Sequence, residues 1–443
     1  MKAENIKDLT KTAKDTKAYE RITKLCFDGS FNEIGEYVTD GDVAAQVVTG
    51  TAEVCSLPFA VFSQNSDIQK GAMSAAHCSK IIKLYKLAEK TGIPIVGIYD
   101  SCGAKVEDGV SSLESYSSLL KMSSRLSGVV PQIAIIAGVC ASSAAMLAMN
   151  ADVVIAVKGS EFFLSSPFNS DKTTGSVTDA ANLGDVHIIV ENMDEAAKTV
   201  ADILSMLPSN NLSVPEYYPP VEAEGGCLIK SVIDADSKVK YMVDFGTNSK
   251  TFFARVDGTP VGIVKAKEYL NSDDCVKIST FVRLCDSFSL PLLTFVDCEG
   301  FADEGGRELR AVAKLNHAYS EATTAKITVI ADKAYGQAFV ALCGKNSNSD
   351  VVIALDTAKI SPLCPEAEVM LLFEERLKNG EDRQALKDEY LKNEGSVYVA
   401  ASHGAVDKIV TKDDLRDTIS VLLDTLNSKR ETTIARKHSN MPL

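Results

Sequence analysis

Residues 138–154 read GVCASSAAMLAMNADVV, and residues 332–352 read DKAYGQAFVALCGKNSNSDVV. Each stretch follows a short run of Ile, Val and Ala, gathers small residues, turns apolar and ends in Asp-Val-Val. A β-rich run, a small-residue turn and an apolar helical run make one strand–elbow–helix unit. The unit is written twice, so internal repetition sets the architecture.

The repetition extends outward from both elbows. KIIKLYKLAEKTGIPIVGIYDSCGAKVEDG starts at Lys80, and KISTFVRLCDSFSLPLLTFVDCEGFADEGG starts at Lys277. Pro94 matches Pro291, Asp100 matches Asp297 and Gly103 matches Gly300, all at an offset of 197. Ala137 pairs with Ala331, Ala144 with Ala338 and Asp152 with Asp350 at nearly the same offset. Upstream, LPFAVFSQN parallels TPVGIVKAK. Unrelated apolar strands would not hold register over so long a span, so a duplication is expected. Between the copies lies LPSNNLSVPEYYPPVEAEGG, rich in Pro, Asn, Gly and Glu. It predicts a first domain over 1–210, a linker over 211–225 and a second domain over 226–443.

Within the first copy, FAVFSQ reads as a strand. SAAHCSKIIKLYKLAEKTG reads as a helix closed by Gly92. IPIVGIYD reads as a short buried strand, VSSLESYSSLLKMSSRLSG as a second helix and QIAIIAG as the strand before the elbow. The class is α/β with crossover helices.

Composition narrows the function. The chain has 443 residues, enough for two domains, and a formal charge of −14. Nucleic acid is excluded as a main partner, because phosphate-backbone binding needs a basic face. The N-terminal MKAENIKDLTKTAKDTKAYERITKL lacks an apolar core, so no signal peptide is expected. No apolar run reaches the ~18 residues of a membrane span. Eleven cysteines without a Cys-x-x-Cys pair predict reduced thiols in a cytoplasmic protein. The five histidines form no metal-spaced pair, and no metal is expected.

A strand that ends in small residues and turns into a helix leaves free backbone N–H groups. The helix dipole adds partial positive charge there, and small side chains let a ligand approach. Two equivalent elbows suit a reaction with two carbonyl-bearing partners. The chain resembles the biotin-dependent acyl-CoA carboxyltransferases of propionyl-CoA and acetyl-CoA carboxylases and of sodium-pumping acyl-CoA decarboxylases. FDGSFNEI, VTG, VFSQN, AAHCSKI, YDSCGAKVEDGV and SGVVPQIAIIAGVCASSAA carry the likeness in the first half. FFARVDGTPVGIV, FVRLCDSFSLPLLTFVDCEGF, EATTAKITVIADKAYGQAF and ARKHSNMPL carry it in the second.

That resemblance implies two tandem crotonase-like domains, spirals of β-β-α units with backbone oxyanion holes at helix starts. It implies a homo-oligomer, a dimer or a hexamer built as a trimer of dimers. Each active site would lie between the first domain of one subunit and the second of another. One hole would fall on Ser142 and Ser143, the other on Gly336, Gln337 and Ala338. One would hold the acyl-CoA thioester oxygen and the other the ureido oxygen of biotin. Lys70, His77 and Lys80 would lie toward the coenzyme A, with Lys83 and Lys86 on the same helix edge. Val340 stands where propionyl-type members carry Asp and acetyl-tolerant ones an aliphatic residue, which implies a small acyl preference.

No Met-Lys-Met biotin attachment site and no Gly-rich ATP loop occur. Biotin is therefore expected on a separate biotin carboxyl carrier protein, beside biotin carboxylase or membrane decarboxylase subunits.

Several stretches depart from the family pattern. Its Cys-Ala-Gly-Gly-Ala elbow is Cys140-Ala141-Ser142-Ser143-Ala144 here, and its Tyr-Gly-Gly-Ala is Tyr335-Gly336-Gln337-Ala338. Gln337 looks the harder change, being long where the family has no side chain. Its Asp-Ser-Gly-Gly-Ala-Arg is Asp100-Ser101-Cys102-Gly103-Ala104-Lys105, and the segment after FFLSSP is short. Asp100 and Asp297 read as caps at strand ends. Two other classes remain open. One is a non-catalytic scaffold subunit of such a complex. The other is a Clp-type serine peptidase, which would need His187 to reach Ser142 or Ser143.

Overall fold

In this computed structural model, which describes residues 3–165, 175–345 and 347–440, the two copies build sheets of the same strand order. The first sheet contains β1 (Asn32–Glu33), β2 (Val47–Val54), β3 (Leu57–Gln64), β4 (Ile95–Ser101), β5 (Gln132–Ala141), β6 (Val153–Val157), β7 (Glu161–Phe163) and β8 (Ile188–Val190). Its order is β1-β2-β3-β4-β5-β6-β8, with β7 on the outer end of β5. The second contains β9 (Val239–Tyr241), β10 (Ser249–Val256), β11 (Thr259–Leu270), β12 (Leu292–Phe301), β13 (Lys326–Tyr335), β14 (Val351–Leu355), β15 (Lys359–Ser361) and β16 (Lys408–Val410). Its order is β9-β10-β11-β12-β13-β14-β16, with β15 on β13. In each, an antiparallel hairpin leads into parallel strands joined by helices.

Local chemistry explains the elements. β4 is buried at every position, as a strand covered on both faces should be. Helix α2 (Ala75–Thr91), after α1 (Lys17–Leu25), starts where the Ser74 hydroxyl accepts the His77 N–H and stops at left-handed Gly92. Its counterpart α6 (Ser272–Ser287) follows α3 (Val110–Leu126), α4 (Ser143–Ala148) and α5 (Met193–Leu204), and opens on an Asn271/Asp274 capping box. Each sheet packs its apolar residues into its own core, with Phe62, Tyr99 and Ile136 in the first and Phe252, Phe295 and Val329 in the second.

The chain divides into Met1–Glu216 with Met242–Asp244, and Tyr217–Tyr241 with Phe245–Leu443. The stretch expected as a linker is held at both ends. Asn211 N–H donates to Val129 O at 2.9 Å in the first unit. Tyr218 N–H donates to Gly258 O at 3.1 Å, and its ring lies 4.0 Å from Arg255 in the second. Of the shortened segment after FFLSSP, 168–174 lie outside the described residues, and the rest carries a short helix over Val177–Asn182.

Candidate active site

The strand before each elbow runs further than its sequence suggests. β5 continues through Ala141, and Ser142 makes the turn into α4. β13 ends at Tyr335, and Gly336 opens α8 (Gly336–Cys343), which follows α7 (Arg307–Glu321). Both turn residues have positive φ, +58° at Ser142 and +49° at Gly336. Only the first of the two family glycines is thus demanded by the backbone. Gln337 has an exposed side chain and no positive φ, so the change expected to be hardest is accommodated. Ser142 carries the strain, at φ +58° and ψ −127°.

The donors also differ from expectation at one position. Ser142 N–H donates to Phe163 O at 3.0 Å and is not free. Among the described residues, Ser143 and Ala144 N–H have no backbone acceptor, and neither do those of Gly336, Gln337 and Ala338. Ala144 therefore replaces Ser142 among the available donors of the first elbow. In the second unit, Gly336, Gln337 and Val340 line a cavity of about 810 Å³ with Phe339, Pro362, Phe373 and His403. Val340 is 64% exposed at its wall.

A bulge precedes each elbow. Tyr99 pairs with Ile136 and Ser101 with Cys140, so Asp100 alone faces Ala137, Gly138 and Val139. Val296 pairs with Ile330 and Cys298 with Ala334, which leaves Asp297 facing the matching three residues. The first bulge is pinned from below. Asp100 Oδ2 accepts from Arg21 Nη1 at 2.8 Å and from the Ser66 hydroxyl at 2.6 Å, and Oδ1 accepts from Val139 N–H at 3.3 Å. Arg21 Nη2 also donates to Ala137 O at 3.0 Å. Asp100 is not a helix cap but a buried brace for the elbow strand. In the second unit the Lys333–Glu299 pair, at 2.6 Å, spans the equivalent place. Arg21 and Gly138 had no local signal, because Arg21 reaches Asp100 from a helix 79 residues earlier.

The residues expected near coenzyme A separate. Lys70 is exposed on a left-handed turn, and Lys83 and Lys86 are exposed on α2. Lys80 is not on that solvated edge: it is buried and its Nζ donates to Val47 O at 2.7 Å. Burial pushes its pKa down to about 8. Apolar residues at helical spacing marked the face of α2 but not the depth to which it sinks. His77 is fully buried, and among the described residues its ring nitrogens have no hydrogen-bond partner of normal geometry, with the Ala72 backbone a polar neighbour. His187 is also buried, and its Nδ1 accepts from Val154 N–H at 3.1 Å. A ring nitrogen so committed does not serve as the base of a serine peptidase.

Burial holds both histidines down to about 3. Below the unfolded value of about 6.5 the unfolded chain takes up these protons and the native state does not. Stability is therefore expected to fall as pH falls from about 6.5 toward 3, by at most about 2.7 kcal/mol per pH unit from the pair. Urea unfolding of His77→Leu between about pH 7 and pH 4 should show roughly half this histidine contribution. A slope identical to the parent's would reject the assignment.

A carboxyl transferase domain model matches residues 13–441. The propionyl-CoA carboxylase beta chain of Saccharopolyspora erythraea is 33% identical, over 96% of this chain and 90% of its own. The methylmalonyl-CoA decarboxylase alpha subunit of Veillonella parvula is also 33% identical, over 96% and 93%. Among solved structures, the transcarboxylase 12S hexamer with methylmalonyl-coenzyme A and methylmalonic acid bound superposes with a TM-score of 0.90. It is 30% identical, over 99% of this chain and 95% of that one.

Proposed function

The chain belongs to the carboxyl transferase domain family, and on that premise we propose that it is the carboxyltransferase subunit of a biotin-dependent acyl-CoA carboxylase or decarboxylase. It moves a carboxyl group between carboxybiotin on a separate carrier protein and the α-carbon of a short-chain acyl-CoA. The observation that carries this reading is the pair of equivalent elbows, each presenting first-turn N–H groups without backbone acceptors among the described residues. The second opens onto a cavity of about 810 Å³, whose backbone donors and apolar walls fit a neutral ureido ring or a short acyl group.

Carboxybiotin supplies the activated carboxyl group. The chain's own part is electrostatic and positional. An elbow would hold the thioester oxygen against pre-oriented N–H dipoles while the α-proton passes to the ureido group that has given up its carboxyl, so enolate charge develops where donors already point. Holding both reactants lowers the entropic barrier. Loss of one such donor typically costs about 3–4 kcal/mol of transition-state stabilisation. The exposed Lys70, Lys83 and Lys86 offer charge to coenzyme A phosphates. The small Val340 suits a short acyl chain. The partners proposed are a biotin carboxyl carrier protein and biotin carboxylase or membrane decarboxylase subunits, in a cytoplasmic hexamer of this chain.

Incubation with free biotin and malonyl-, methylmalonyl- or glutaconyl-CoA tests the reading by decarboxylated product. Turnover of at least one is expected. Ser142→Gly should keep that turnover and raise stability by about 1 kcal/mol, because glycine adopts φ +58° without strain. No turnover of any of them, with acetyl- and propionyl-CoA also inert to carboxybiotin, would leave the scaffold reading.

A further inference from the structure

The second unit holds a separate cavity of about 370 Å³, none of whose lining residues belongs to an elbow. Lys230, Lys238, Lys250 and Lys265 line it, with Phe252 and Ile233 on its apolar side. Four lysines converging on one hollow are unexpected in a chain of net charge −14. The carboxylates nearby are largely spent. Glu224 pairs with Lys230 at 2.6 Å. Asp234 pairs with Arg416 at 2.8 Å and accepts the Asp257 and Gly258 N–H groups at 2.8 Å each. Asp236 is left, and its charge is felt at Lys230. Lys238, Lys250 and Lys265 form no ion pair among the described residues.

Their placement is unfavourable without a counter-charge. Lys250 and Lys265 stand directly opposite each other on antiparallel β10 and β11. Like charges in that register destabilise a sheet. Lys238 lies 4.3 Å over the Phe252 ring, on the residue two along from Lys250. Burial, followed by the charges of Lys250 and Lys240, lowers its pKa. A multivalent anion seated among the three ammonium groups removes the repulsion, and lysine suits phosphate as a point charge.

We propose that this cavity binds a small phosphate-bearing molecule, its phosphates among Lys238, Lys250 and Lys265 and its apolar part toward Phe252 and Ile233. The site is independent of carboxyl transfer at the elbows, and its test does not require turnover. Calorimetric titration of the full chain with inorganic pyrophosphate at constant ionic strength should show saturable binding, one per chain. The double variant Lys250→Gln/Lys265→Gln should weaken it about tenfold or more. Without ligand that variant should be at least as stable as the parent, because repulsion has been removed, whereas a merely structural lysine pair would leave it less stable. Lys121→Gln/Lys198→Gln, on exposed lysines of the other unit with no role at either elbow or at this cavity, should bind as the parent does. Adenosine diphosphate tighter than pyrophosphate would identify a nucleotide as the source of the phosphates, and the reverse an inorganic one. No saturable binding, equal loss in both double variants, or binding of an acidic peptide but not pyrophosphate would overturn the proposal.

Discussion

Gly138→Ala is expected to unseat the first elbow and abolish most turnover. A Cβ at Gly138 would fall 2.2 Å from Asp100 Oδ1 and 2.5 Å from its Cγ. The carboxylate has nowhere to go, because Arg21, Ser66 and the Val139 N–H hold it. Either β5 bulges outward, moving the Ser143 and Ala144 donors, or Asp100 swings and strands a buried guanidinium. The pair is close to closed to solvent, with side-chain exposures of 13% for Arg21 and 11% for Asp100. Breaking such a pair by removing one partner typically costs about 3–5 kcal/mol, and Gly138→Ala should fall in that range or above. Urea unfolding and product release are the readouts. Asp332→Ala, at the matching place in the second bulge, has no such clash to relieve and should change stability far less. Equal losses in the two variants would show that the Asp100 brace is not what holds the elbow strand.

Lys277→Met is expected to be the most destabilising substitution in the second unit. Lys277 is 1% exposed, and its Nζ donates to Phe245 O at 2.8 Å, Gly246 O at 3.2 Å and Ser249 O at 3.0 Å. Methionine fills the same volume but leaves three carbonyls without this donor. Gly246 O keeps the Ser249 N–H and hydroxyl as donors, and each buried group left unsatisfied costs about 1–3 kcal/mol, so a loss of about 2 kcal/mol or more follows. The loop these carbonyls belong to also carries Gly246, where a Cβ would sit 2.9 Å from Asp274 backbone atoms, so it has little room to turn toward water. Lys80 is the same residue in the first copy but, among the described residues, donates to Val47 O alone. Lys80→Met should therefore be the milder change. Reversal of that order in denaturant midpoints would mean that the hydrogen bonds are not the source of the stability.

These two lysines show what a repeat conveys and what it does not. Their match at one offset was legible, and so was the helix that carries them, from apolar spacing and a closing Gly92. Their burial was not, since a lysine on an amphipathic helix reads as a solvated edge until the carbonyls of a distant loop are in place. The elbows divide in the same way. Small residues after a β-rich run marked both turns, but among Ser142, Ser143 and Gln337 the sequence singled out Gln337 as the hardest departure. The backbone separates them: positive φ makes Ser142 the strained one, and ordinary helical geometry makes Gln337 harmless.

Sequence alone determined the duplication, the strand–helix alternation, the two elbows and the family, because each rests on local periodicity or on residue order along the chain. Tertiary structure decided the rest. It placed Arg21 under Asp100, took the Ser142 N–H for Phe163, sank Lys80, His77 and Lys277, and gathered Lys238, Lys250 and Lys265 around one hollow. All of these depend on atoms brought together from remote positions, where burial and hydrogen-bond competition, not residue type, set what a side chain can do.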